Sequence, residues 1–169
     1  MNIVGPVLNR TEEVESILRS LPGWFGIEGA LLEYVADSAL KPTFGAEIDR
    51  RLCAFLTLQQ HFPESWEIHC MAVAAQQRNR GTGSALLAVA EHFIRDRGAL
   101  LLQVKTVAST SNSAGYAETR KFFAAKGFIP LEVFPELWDP SNPAFQLVKL
   151  LQPAPAEAQP AASFTKAAQ

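Results

Sequence analysis

The chain is short of several things, and each shortage excludes something. It has 2 cysteines in 169 residues, Cys53 and Cys70, and neither belongs to a Cys-x-x-Cys pair. That is too few for a disulfide framework and gives no support to a zinc ribbon or a dithiol redox centre, so no metal is expected and a reducing cytoplasm is the default compartment. Net charge is scarce too, with 15 Lys and Arg against 17 Asp and Glu, or −2 in all. No basic field exists to hold nucleic acid or an anionic membrane, and neither is expected as a partner. Long apolar runs are missing: nothing approaches the roughly 18 residues of a membrane span, and Met1 to Arg10 lacks the basic and apolar regions of an export signal. What remains, 48% hydrophobic and 19% charged residues, is an ordinary soluble mix of a length that suits one domain.

That domain is expected over residues 1–151. Residues 152–169 are rich in Ala and Pro and poor in periodic apolar content, so ordering them would not be repaid by packing, and a disordered tail is expected. Thr11 reads as an N-cap, followed by Glu12 and Glu13 at the positive end of a helix and by Val14, Ile17, Leu18 and Leu21 on one face. Pro22 and Gly23 end this helix, Trp24 and Phe25 lie on the connection, and Ile27, Leu31, Tyr34 and Val35 line a second helix that Pro42 closes. Extended runs at 43–48, 52–58 and 66–73, joined by short polar breaks, predict an antiparallel meander. The period then changes: a helix over 84–97 stopped by Gly98, a strand over 99–107, a helix over 116–126 stopped by Gly127, and strands over 128–134 and 145–150. The fold class is therefore α/β of the α+β type, a mixed sheet flanked by helices.

The most informative segment is Arg78-Asn79-Arg80-Gly81-Thr82-Gly83-Ser84, between a strand and an amphipathic helix. Two glycines allow a sharp turn, and the free amides of the first helical turn, at the positive end of the dipole, suit a pyrophosphate. A plain strand-to-helix turn with two convenient glycines is the bland alternative. A Rossmann turn is disfavoured, because Leu86 stands where a third glycine belongs and the turn follows a meander rather than opening a βαβ unit. A P-loop is disfavoured because no Gly-x4-Gly-Lys-Ser/Thr run exists.

In this context Arg78-x-x-Gly81-x-Gly83 resembles the Gln/Arg-x-x-Gly-x-Gly/Ala signature of the GCN5-related N-acetyltransferase (GNAT) superfamily, and Phe123-Ala-Ala-Lys-Gly127-Phe128 looks like its aromatic-x-x-x-Gly-Phe segment. The resemblance runs from the first helix to Leu150. It implies a GNAT-like, mainly antiparallel sheet and acetyl-CoA as cosubstrate, with pyrophosphate on the turn Arg78 to Ser84 and the pantetheine arm paired against Met71, Ala72 and Val73. It also implies direct transfer to a primary amine of a small molecule or peptide. A second copy of the chain is the one macromolecular partner left open. A CoA-binding sensor that has lost chemistry is the competing reading.

An amine with a free pKa of about 10 must be deprotonated before attack, so a base or a water chain is needed. Glu67, fourteen residues before Gly81, stands where the resemblance implies a catalytic glutamate, and His69, with Met71, shares its strand face by the period of two. A solvated strand residue and a hydrogen-bonded imidazole are the plain readings of these two. Cys70 is expected to face the other way, in the core. The chain departs from the family at Phe123, where a thiolate-protonating tyrosine is common, and at Tyr116, where an asparagine is common. Tyr116 is the candidate proton donor or a packing residue, and Asn112 and Ser113 are candidate cofactor contacts. The resemblance places the acceptor between the first two helices and the last hairpin, where Trp24, Phe25, Tyr34 and Trp138 are candidate walls, and Glu28, Glu33 or Asp139 can attract a cation.

Overall fold

A three-residue strand, β1 (Asn2–Val4), opens the chain, and two helices follow it, α1 (Thr11–Arg19) and α2 (Glu28–Leu40). Three strands come next, β2 (Thr43–Ile48), β3 (Arg51–Phe62) and β4 (Ser65–Val73), then α3 (Thr82–Arg95), β5 (Leu101–Val107), α4 (Ala114–Ala125), β6 (Ile129–Asp139) and β7 (Asn142–Leu150). The computed structural model describes residues 1–109 and 114–151, so Asn112, Ser113 and the expected tail fall outside it. Among the described residues no helix is long and apolar enough to cross a membrane.

The strands form one sheet in the order β1-β2-β3-β4-β5-β7-β6, in which only β4 and β5 run parallel. The expected mixed, mainly antiparallel sheet is present, with β1 added at one edge; three residues are too few to show a period of two. One face carries α3, whose Leu86, Leu87, Ala90 and Ile94 pack on Leu56, Leu58, Trp66, Ile68, Leu102 and Val104. The other face carries α1 and α2, with Val14, Ile17, Leu18 and Leu31 over Phe55, Cys70 and Ala72. Each such large side chain contributes about 1.5–3 kcal/mol by leaving water.

Some boundaries differ from the sequence reading for local reasons. The N-cap of α1 is Arg10 rather than Thr11, with no side-chain cap; instead its guanidinium holds Glu13 in the first turn, at 2.5 and 2.7 Å. Ile27 caps α2 and is exposed rather than lining its buried face. Trp138 lies within β6, because the last hairpin closes tightly on Asp139, whose Oδ1 accepts from Ser141 N–H at 2.8 Å and Asn142 N–H at 3.1 Å.

The register of β3 against β4 shifts twice. Thr57 stands opposite Cys70 but Leu58 opposite Ile68, and Gln60 opposite Trp66 but Phe62 opposite Ser65. His69 on β4 and His61 on β3 are thus the extra residues of two bulges, which bend the strands and reset their facing. Trp66, Ile68, Met71 and Val73 therefore meet the α3 face, while Cys70 and Ala72 meet the helices α1 and α2. His69 reaches α2 as well. This corrects the facing expected from strict alternation: Met71 is on the opposite face from Glu67 and His69, and Cys70, buried as expected, shares the side of His69.

Candidate active site

The split between the two parallel strands positions the site. Pairing of β4 with β5 runs from Ser65 opposite Leu101 to Ile68 opposite Val104 and stops beside the bulge, although both strands continue to Val73 and Val107. Between the diverging ends lies a cavity of about 1120 Å³, closed by the α1–α2 connection, the start of α3, α4 and the β6–β7 hairpin. That is at or above the upper end of ordinary small-molecule sites, roughly 300–1,000 Å³, so it has room for a long ligand and a second reactant.

The glycine turn forms one wall. Asn79 and Gly81 both have positive φ, 58° and 82°, and Gly81 is the N-cap of α3. The first helical bond of α3 runs from Ala85 N–H to Gly81 O at 2.9 Å, so the amides of Thr82, Gly83 and Ser84 precede the ladder and are available to an anion. A Cβ on Gly83 would come within 3.0 Å of Met71 Cε and 3.4 Å of the Phe122 ring, inside the cavity wall. Arg78 is anchored by Nε to Val73 O at 3.2 Å, and its guanidinium lies 4.2 Å above the Trp24 ring. Met71, Ala72, Val73, Arg78, Asn79, Gly81, Thr82, Gly83 and Ser84 all line the cavity, whereas Arg80 is exposed outside it. Thr106 Oγ1, on β5 in the same wall, is the one buried side-chain polar atom without a partner among the described residues. Free amides, an open strand end and an orphaned hydroxyl fit an extended ligand bearing phosphate and amide groups.

Two acidic clusters flank the bulge. Glu67 is 8% exposed and does not itself line the cavity, although its partner Lys105 does; its Oε2 accepts from Lys105 Nζ at 2.7 Å and Gln103 Nε2 at 3.0 Å and is 2.7 Å from His61 Nε2. Burial pushes its pKa up, but the bonds to Lys105 and His61 outweigh burial and hold the carboxyl below the usual range. All three partners meet Oε2, which leaves Oε1 for a water. His69 lies on the cavity wall with Nε2 2.7 Å from Asp37 Oδ2, itself 2.6 Å from Lys41 Nζ. Burial and then the Lys41 charge lower the pKa of His69, against the opposing pull of Asp37. Asp37, Lys41, His61, Gln103 and Lys105 were not singled out from the sequence. Only the Asp37/Lys41 spacing of one helical turn was visible there, and nothing in it showed that this turn faces β4.

The helix α4 contributes a different arrangement. Tyr116 OH donates to Trp24 O at 3.1 Å, and the Trp24 ring meets Tyr116 edge-on while its Nε1–H donates to Thr119 Oγ1 at 3.3 Å. Gly115 makes room for it, since a Cβ there would lie 2.4 Å from the Trp24 ring. Phe123 is buried between Phe122 and Phe128. Trp24, Phe25, Tyr34 and Trp138 all line the cavity, with Tyr34 packed edge-on against both Phe25 and His69. Burial pushes the Tyr34 hydroxyl up to about 12. Among the expected acidic attractors, Asp139 is on the wall, while Glu28 is exposed and paired with Arg19.

Residues 12–128 match the sequence profile of the Acetyltransferase (GNAT) family. Among solved structures, the chain is similar to one from Desulfovibrio desulfuricans assigned to the GNAT family, with 20% identity, TM-score 0.75, and coverage of 89% of this chain and 99% of that one. It is also similar to an aminoglycoside 6′-N-acetyltransferase in complex with coenzyme A, at 18% identity and TM-score 0.72 over 92% and 99% of the two chains. A third likeness is to the ribosomal-protein-S18-alanine N-acetyltransferase of Escherichia coli, at 16% identity and TM-score 0.70 over 94% and 98%. At these identities the likeness concerns the fold. No curated protein is similar enough in sequence to count as a relative.

Proposed function

Because the chain belongs to the Acetyltransferase (GNAT) family, we propose that it transfers the acetyl group of acetyl-CoA directly to a primary amine of a small molecule or peptide. The observation that carries this reading is the opening between β4 and β5 beside a turn whose amides are free. Acetyl-CoA supplies an activated acyl group as a thioester. The chain supplies the rest. The amides of Thr82 to Ser84 and the guanidinium of Arg78 bind the pyrophosphate, and the open edge of Met71 to Val73 holds the amide-bearing arm by strand-like pairing. A backbone N–H at that strand end meets the charge that develops on the acyl oxygen.

The acceptor enters against Phe25, Tyr34 and Trp138, and two groups beside it take up the amine proton: His69 directly, or Glu67 through a water on Oε1. Phe123 has no proton to give the departing thiolate, and the hydroxyl proton of Tyr116 is committed to Trp24 O. A thiol with a free pKa of about 8.5 is a good enough leaving group to depart with water as its proton source, so Phe123 is compatible with an active enzyme rather than a sensor. Calorimetry tests the first step: folded protein should bind CoA and acetyl-CoA, and no binding would overturn the reading. A broad screen of amines for CoA release tests the second, and turnover with any of them would reject the sensor.

A further inference from the structure

The bulge turns His69 away from the ladder and onto α2, where it meets a carboxylate and an ammonium that the proposed reaction has not used. Asp37 Oδ2 is 2.7 Å from His69 Nε2 and 2.6 Å from Lys41 Nζ, and Lys41 Nζ is 3.5 Å from the same ring nitrogen. Two cationic or donor groups on one oxygen keep the Asp37 carboxyl ionised: burial alone would raise its pKa, but Lys41 and His69 lower it below the usual range. An ionised carboxylate only accepts, so the short contact requires a proton on Nε2. The lone pair of a neutral ring is then on Nδ1, which has no partner among the described residues. The ring is on the cavity wall with about a quarter of its side chain exposed.

We infer that Asp37 is a positioning residue: it fixes the tautomer of His69 so that Nδ1 of this cavity-wall ring takes the first proton of the acceptor amine. The inference rests on the proposed acetyl transfer. An ammonium acceptor gives one proton to Nδ1 and becomes nucleophilic. Its nitrogen then bonds to the acyl carbon as the carbon–sulfur bond breaks, and the second nitrogen proton goes through water to the departing thiolate, while His69 returns its proton to solvent. The ionisable groups facing His69 are Tyr34 and Asp37 on α2, Lys41 just past its C-terminal end, and Glu67 and Cys70 on its own strand, with Lys105 of β5 tied to Glu67. Lys41 acts as the counterweight. It discourages a proton on the resting ring, which must be neutral to serve as a base, while Asp37 orients it.

The experiment pairs nitrogen-15 NMR of the imidazoles in the full chain with the pH dependence of kcat/KM for whichever amine the screen identifies. In the wild type the His69 resonances should show the Nε2–H tautomer. In Asp37→Asn that tautomer should be lost or mixed, the titration should move to lower pH, and kcat/KM should fall at least tenfold with its acid limb displaced the same way. In Lys41→Met the titration and the acid limb should move to higher pH. Asp37→Glu should restore part of both signals. A wild-type Nδ1–H tautomer, or an Asp37→Asn protein with unmoved tautomer and titration, overturns the inference whatever the turnover. A fall in rate with no displacement of the limb makes Asp37 merely structural and also overturns it. Failure of the wild type to bind acetyl-CoA would instead sink the proposed function, with the tautomer result standing on its own.

Discussion

Glu67 carries a charge that is already spoken for, and this decides what its replacement should do. Glu67→Gln removes the anion beside Lys105 but keeps the shape and the amide-capable oxygen, so kcat/KM should fall about 10²-fold, the low end of general-base effects, while CoA affinity barely changes. Steady-state rates with the identified amine, alongside calorimetry with CoA, check both halves, and an unchanged rate would leave the proton to His69 alone. At Tyr116 the hydroxyl proton is committed to Trp24 O. Tyr116→Phe should therefore loosen the α1–α2 connection and raise KM for the acceptor more than it lowers kcat; a tenfold fall in kcat, about 1.4 kcal/mol, would mark it instead as an acid in the transfer itself. Gly83→Val drives methyls toward Met71 Cε, a flexible end that can swing aside, and toward the Phe122 ring. The fold should survive with cooperative unfolding, and CoA affinity should drop about tenfold or more, about 1.4 kcal/mol by calorimetry, because the obstruction projects into the binding wall.

Among the elements, the β2–β3 hairpin shows a local conflict that the rest of the sheet overrides. Its two-residue turn, Asp49-Arg50, has φ of 50° and 63°, the mirror-type turn whose twist suits a hairpin but which ordinary side chains resist. Arg50 keeps its place through its carbonyl, which accepts from Arg10 Nη2 at 2.7 Å, and glycine would retain that carbonyl. Arg50→Gly should stabilise the protein by about 1 kcal/mol, the strain of one left-handed residue, and raise the melting temperature by about 2–4 °C in a thermal scan. The bulged β4 is the opposite case, an irregularity that the site uses. Without the extra residue at His69, alternation would put Cys70 and Ala72 on the wrong layer, and the split from β5 at Ile68 would have no bend to start it.

For the whole molecule, acid is the predicted weakness. The pKa of His69 is lowered in the folded chain, so as pH drops below its unfolded value of about 6.5 the unfolded chain takes a proton that the folded one refuses, and stability declines. Asp37 and Glu67 also have lowered values; their contribution is present above about pH 4 and is lost as pH falls through the folded values. Melting temperature should thus fall in two stages on acidification, near pH 6 and again below pH 4.5. His69→Gln should abolish the first stage, and a first stage unaltered in that variant would assign it to another group.

Much of this protein was legible in one dimension because the physics involved is local. The apolar face of α1, the strand at 43–48, the stops at Gly98 and Gly127 and the turn from Arg78 to Ser84 follow from periodicity and from backbone freedom within a few residues. The half of the candidate site proposed to bind phosphate is one continuous segment, so its residues could be read together. The half proposed to handle protons is not. It is assembled from α2, β3, β4 and β5, and its partners, such as Asp37 with His69 and Lys105 with Glu67, are 32 and 38 residues apart. Strict alternation also misplaced Met71 and Cys70, since a bulge is a property of two paired strands and leaves no mark on either alone. The sequence determined the kinds of element and the glycine turn that opens α3; tertiary packing alone decided which carboxylate pairs with Lys105 and which one meets a histidine.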